Sequence, residues 1–261
     1  MKATTAFAIL LMGLCVLPVI SSSRAQAELL EFDDVADSMI AATHVSSANA
    51  TGWNDPTLYV GDVFNYRYHI LVAVNDTSHL QSLVDGYALD SAALSVVIGS
   101  TSGSPGALDC HVIRRDSTGT GIYPAYDDRR SYHCRSEWYG RKAALPFACP
   151  DSILWEIPGA TGPTDYHPVP FVSVASPIAG QRYDIDVTPW IAGIVAGVDS
   201  VSNGIILLAS TEDGSGSDYL TVGHIYPFKS YDDRMILKVW RSETADVPPT
   251  RAWLDSPDML K

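Results

Sequence analysis

Trp53, Trp138 and Tyr139 are the residues best placed by type and setting to hold a ligand. Sugar rings present apolar C–H faces that stack on indole and phenol rings, while polar neighbours bond the hydroxyls. Trp53 stands in the polar run Gly52-Trp53-Asn54-Asp55-Pro56, and Trp138-Tyr139 in a charged, aromatic stretch without clear periodicity. The competing reading of each is a loop aromatic folded back to cap the core.

Sets that would do covalent chemistry are weaker. The chain has no nucleophile elbow, phosphate-binding loop, HExxH helix or EF-hand. A polysaccharide lyase needs a His or Tyr base beside a charge-neutralising cation. His133 with Tyr132, Arg130 and Arg135 has that composition, but a surface loop beside a disulfide is the simpler reading. A glycosidase needs two carboxylates about 5–10 Å apart, and no acidic pair stands in a recognisable setting. Asp213-Gly214-Ser215-Gly216-Ser217-Asp218 carries oxygens suited to calcium but no distal acidic anchor, and reads as a hairpin turn. No cofactor is expected, and calcium is the one ion left open. His111 and His133 each adjoin a cysteine, but the spacing lacks a fourth zinc ligand.

Residues 1–27 read as a secretory leader: Lys2 at the start, an apolar run from Ala6 to Ile20, and Ala25-Gln26-Ala27 as a cleavage site. The expected location is therefore extracellular or periplasmic. No other segment approaches the roughly 20 apolar residues of a membrane span, so membrane insertion is not expected. The formal charge is −13, and loss of Lys2 and Arg24 with the leader makes the remainder more acidic. Such a chain repels nucleic acid and anionic membranes. Beyond the leader lie Cys110, Cys134 and Cys149. An oxidising compartment predicts one disulfide and one odd thiol, with Cys134–Cys149 or Cys110–Cys134 favoured because either pins the long middle segment. Asn49-Ala50-Thr51 and Asn75-Asp76-Thr77 match glycosylation acceptors, but the leader reads as bacterial, so they are treated as chance.

Strand signals fall at 36–41, 57–60, 66–74, 93–98, 110–114, 171–174, 182–187, 205–209, 219–225 and 235–240, separated by turn clusters. In the third, Tyr66, Tyr68, Ile70, Val72 and Val74 share one face, read as core, and Arg67, His69, Leu71 and Ala73 the other. Thr188 reads as a helix N-cap, Pro189 as the first helical residue and Gly197 as the stop. Trp155, Trp190 and Trp240 read as packing residues; His69, His111 and His224 read as hydrogen-bonded structural ones. The expected fold is all-β: an antiparallel β-sandwich, jelly-roll-like, with one short helix near 188–197 and a long irregular insertion around 115–165. The domain runs from 28 to 241, and 242–261 is a C-terminal tail.

Five segments, in order, resemble the DNRLRE (disaggregatase-related) extracellular β-sandwich family. They are Ala36-Asp37 leading to GWNDPTLYVGD (52–62), YRYHILVAV (66–74), ILWEIPGAT (153–161), YDIDVTPWIAGIVAGVDSVSNGIILLAS (183–210) and RMILKVW (234–240). The chain departs from the pattern at Ile194, where a second Trp is usual, and in the length of 110–149. The resemblance implies a non-catalytic secreted domain related to carbohydrate-binding modules, with a polysaccharide or cell-surface glycan as partner. A structural or adhesive envelope or matrix protein that self-associates is the alternative, and a polysaccharide lyase or glycosidase the third reading.

Overall fold

The computed structural model describes residues 27–33, 39–47, 57–114, 140–142, 153–197, 204–212, 216–223 and 234–243. Residues 1–26 of the expected leader (1–27) and 244–261 of the expected tail (242–261) fall outside them, as does most of the middle segment. Thirteen strands and two helices follow in the order β1 (Glu28–Phe32), β2 (Ile40–Ser46), β3 (Thr57–Val63), β4 (Tyr66–Val74), α1 (Thr77–Val84), β5 (Tyr87–Ser102), β6 (Leu108–Val112), β7 (Gly140–Lys142), β8 (Ile153–Leu154), β9 (Val172–Val174), β10 (Arg182–Asp186), α2 (Thr188–Val195), β11 (Gly204–Ala209), β12 (Tyr219–Gly223) and β13 (Ile236–Glu243). Every pairing among them is antiparallel, so the fold is the expected all-β, sandwich-like one.

One strand organises the whole. β5 is 16 residues long. Its first part pairs with β13 (Tyr87 to Ser95) and with β10 (Ala93 to Val97). Its last part, from Ile98 to Ser102, pairs with β12, which pairs in turn with β3. β3 leads to β4, which also pairs with β2 and β11, and β11 continues through β6 to β9. A single backbone therefore belongs to both layers.

Alternation builds the main core. Ile70, Val72 and Val74 from β4 meet Leu94, Val96 and Ile98 from β5 and Leu237 and Val239 from β13. Tyr66 and Tyr68, expected on this core face, are not buried there: Tyr66 is 47% exposed and Tyr68 half-buried. Trp190, Ile191 and Ile194 of α2 close the core from one side. Burial of these large side chains, each worth about 2–3 kcal/mol, is the main favourable term.

The segment Asp186-Val187-Thr188 works differently from the expected N-cap. Val187 holds the cap position and makes no side-chain cap bond. Asp186 Oδ1 instead accepts the Thr188 amide at 2.9 Å, a local Asx turn. Val187 points into the core. Thr188 Oγ1 accepts the Ala92 N–H at 2.8 Å and donates to the Ala92 carbonyl at 3.2 Å, fixing α2 to β5. Gly197 ends the helix at φ 65°, as expected.

A second helix, α1, stands where none was expected. Asp76 caps it by accepting the His79 amide at 2.8 Å, and it buries Leu80 and Val84. Gln81 Nε2 donates to the Ile194 carbonyl of α2 at 2.7 Å, so α1 satisfies an acceptor at the end of its neighbour. Among the described residues no helix is long and apolar enough to cross a membrane.

Candidate functional site

Trp53, Trp138, Tyr139, Cys134, Cys149, His133, the Arg130–Arg135 set and His224 all lie outside the described residues, as do residues 213–215 of the turn considered for calcium. Cys110 is described: its thiol is free and fully buried in β6, and burial followed by the nearby Asp109 charge pushes it well above the usual thiol range. The pairing of Cys110 with Cys134 is therefore not made, and the other favoured pairing, Cys134–Cys149, lies outside the described residues. Trp155 and Trp190 are buried packing residues as expected, and Trp240 is half-buried.

The described residues gather aromatic side chains where β2, β3, β4 and β12 meet. Tyr59 lies 5.7 Å from Tyr68 and 5.9 Å from Tyr219, centroid to centroid, in tilted pairs. His44 sits edge-on to Tyr68 at 5.1 Å and to Tyr59 at 5.7 Å. These are the separations at which aromatic quadrupoles attract. His44 Nδ1 accepts the Tyr59 amide at 3.3 Å, which orients the imidazole and leaves Nε2 to carry its proton in the neutral form.

The β3–β4 hairpin extends this cluster outward. Its two turn residues, Phe64 and Asn65, have φ of 50° and 68°. Positive φ at both positions matches the twist of a tight hairpin and suits Asn-Gly; for a Phe it costs about 1–2 kcal/mol. Phe64 is nonetheless 77% exposed, so no packing offsets that strain. Tyr66, two residues on along β4, projects to the same side of the strand as Tyr68. The hairpin is fixed from β12: the Asp62 amide donates to the Asp218 carbonyl at 2.9 Å and the Asn65 amide to the Gly216 carbonyl at 3.3 Å. Gly61, at φ 101°, lets β12 come this close, since a Cβ there would lie 2.4 Å from the Asp218 oxygen. The result is a set of part-exposed rings on a rigid base, with Asn65 exposed in the adjoining turn.

The other face of β4 is also buried, against expectation. Leu71 and Ala73 form a second core with Val45, Ile113, Ile206, Leu208, Trp155 and Ala160. The cover is the segment 155–167. Asp165, itself buried, accepts the amides of Glu156 (2.9 Å), Ile157 (3.1 Å) and Gly162 (2.9 Å). Glu156 accepts the Thr164 amide and hydroxyl, and these bonds hold its carboxyl below the usual range. The Arg114 amide donates to the Asp165 carbonyl and the His167 amide to the Val112 carbonyl, stitching the segment to the end of β6.

This cover gathers the residue types that a lyase would use, at a place other than the His133 set. His111 Nδ1 donates to the His167 carbonyl at 2.9 Å, and its ring meets Tyr166 edge-on at 4.8 Å. Burial, outweighing that bond, lowers the His111 pKa. Arg114 donates to the Pro163 carbonyl at 3.2 Å. His111 is only 5% exposed and Arg114 is engaged with backbone, so the set fastens the cover. His69 and His111 are thus hydrogen-bonded structural histidines, as their strand setting implied.

The aromatic hairpin escaped the sequence reading because Tyr66 and Tyr68 share the parity of Ile70 and Val72. The available signal was density: Tyr59, Phe64, Tyr66 and Tyr68 fall within ten residues, around a turn. No family model matches this sequence, and no curated protein matches it.

Proposed function

We propose that this chain is an exported, non-catalytic β-sandwich protein that binds carbohydrate, and that the aromatic end of the β3–β4 hairpin is its binding face. The observation that carries the reading is Phe64: a strained, exposed aromatic two residues before the exposed Tyr66, on the hairpin that also carries Tyr59 and Tyr68 of the ring cluster. Backbone strain retained without packing to offset it concentrates at functional positions. Rings on a rigid base lose little side-chain freedom on binding, which suits stacking on a sugar face. The net charge of −13 favours a neutral glycan over a polyanion. The resemblance of five ordered segments to DNRLRE domains supports the same reading, and with it an extracellular setting.

A glycan array probed with the purified protein, with and without calcium, tests this. Saturable binding to one neutral glycan class, weakened about tenfold (about 1.4 kcal/mol) by Tyr66→Ala in a folded protein, is the expected result. Binding that survives Tyr66→Ala and Phe64→Ala but fails with Trp53→Ala or Trp138→Ala would move the face to the middle loops. A blank array together with concentration-dependent self-association would replace the reading with a structural or adhesive protein.

A further inference from the structure

His69 is fully buried on the covered face of β4, and both of its ring nitrogens meet acceptors. Nδ1 lies 2.6 Å from the Gly159 carbonyl oxygen, in the cover, and Nε2 lies 2.6 Å from Glu212 Oε2, just beyond β11. A carbonyl oxygen cannot donate. Glu212 Oε1 accepts the Ala209 amide at 3.1 Å. With Glu212 an acceptor at both oxygens, both ring nitrogens donate, and only the imidazolium carries two N–H groups. The ion pair ties together segments 90 and 143 positions away in the chain.

We infer that His69 is an imidazolium pin that holds the 155–167 cover on the sheet, and that loss of its proton releases that cover. A neutral imidazole has one donor for two acceptors. Deprotonation leaves a lone pair facing an oxygen at one of the two 2.6 Å contacts of a fully buried ring. The contact on the cover side is already strained. Gly159 has φ 87° and the buried Ala160 φ 60°, a left-handed pair that costs about 1–2 kcal/mol at the alanine and turns with the carbonyl bonded to His69.

The charges around the pin act in opposite directions. Burial opposes the imidazolium, but the Glu212 charge, its hydrogen bond and the Gly159 carbonyl together raise the pKa above 6.5, against a smaller opposing effect of Arg67 on β4 itself. From the cover, the titratable neighbour is Tyr166, which also feels the Glu212 charge and is raised by burial first. Across β4, β2 presents the uncharged Val45 opposite His69. A group raised in the folded state stabilises fully below its unfolded pKa, near 6.5, and its contribution fades as pH rises through the folded value. The pin is therefore set below about pH 6.5 and released as pH rises through the raised folded value. It does not depend on what the hairpin binds.

Hydrogen exchange of the whole protein tests the inference, with intrinsic exchange rates divided out. Between pH 6 and pH 9 the 155–167 amides should lose protection, approaching tenfold per pH unit between the unfolded pKa and the folded one and levelling off above it, while β4 and β11 keep theirs. Ring ¹⁵N shifts should show both His69 nitrogens protonated at pH 6, below the raised pKa. Glu212→Gln should move the release to lower pH, and His69→Gln should leave the cover poorly protected at every pH. A neutral His69 ring at pH 6 would overturn the inference. So would cover protection equal at pH 6 and 9, a midpoint unmoved by Glu212→Gln, or protection lost throughout the molecule at once.

Discussion

Phe64 and Asn65 stand side by side in the left-handed region, at φ 50° and 68°. Glycine populates that region without strain, and asparagine tolerates it. Phe64→Gly is therefore expected to raise the unfolding free energy by about 1 kcal/mol, measured by urea denaturation, and to lower glycan affinity in the same protein. A variant that loses stability would show that the Phe64 side chain packs in solution.

Asp165 concentrates three amide bonds on one buried carboxylate. Asp165→Ala leaves three donors without it and should cost about 3 kcal/mol or more, at roughly 1–3 kcal/mol for each buried group left unsatisfied. Proteolysis should begin in 155–167. A loss below about 1 kcal/mol would mean that these donors have found other partners.

Thr188 Oγ1 serves both the amide and the carbonyl of Ala92. Thr188→Ser should be nearly neutral and Thr188→Val should cost about 1–3 kcal/mol, because the shape is kept and both bonds are lost. A costly Thr188→Ser beside a neutral Thr188→Val would assign the role of Thr188 to its methyl group.

His111 acts with the opposite sign to His69. Its folded pKa lies below 6.5 because burial opposes the charge. The unfolded chain then binds the extra proton, and stability falls as pH drops below about 6.5. His111→Asn keeps a donor toward the His167 carbonyl without titrating. Denaturation midpoints between pH 7 and 5 should fall less steeply in this variant, and an unchanged slope would place the acid sensitivity elsewhere.

The elements built on unbroken alternation were legible. β4 and β10 fall where alternation places them, and the unbroken apolar run of β11 and the helical stretch with its glycine stop at Gly197 were legible by their own patterns. α1 was not, because eight residues with Leu80, Leu83 and Val84 as the apolar set are too few to show a helical period. The strand expected at 36–41 is β2 at Ile40–Ser46, whose seven residues are all buried and so lack the alternation that marks a half-wet strand. The buried outer face of β4 depends on a cover about 90 positions away, and no local pattern in Arg67 to Ala73 announces it. The aromatic hairpin was hidden for the reverse reason: its tyrosines mimic core positions.

β5 gives the molecule a mechanical property. A sandwich whose leaves meet only through side chains can shear along its greasy mid-plane. Here one chain is hydrogen-bonded into both leaves, through β13 and β10 at one end and β12 at the other. Sliding one leaf past the other would have to rupture a backbone ladder, so the protein should resist tension as a single rigid block and yield in one step.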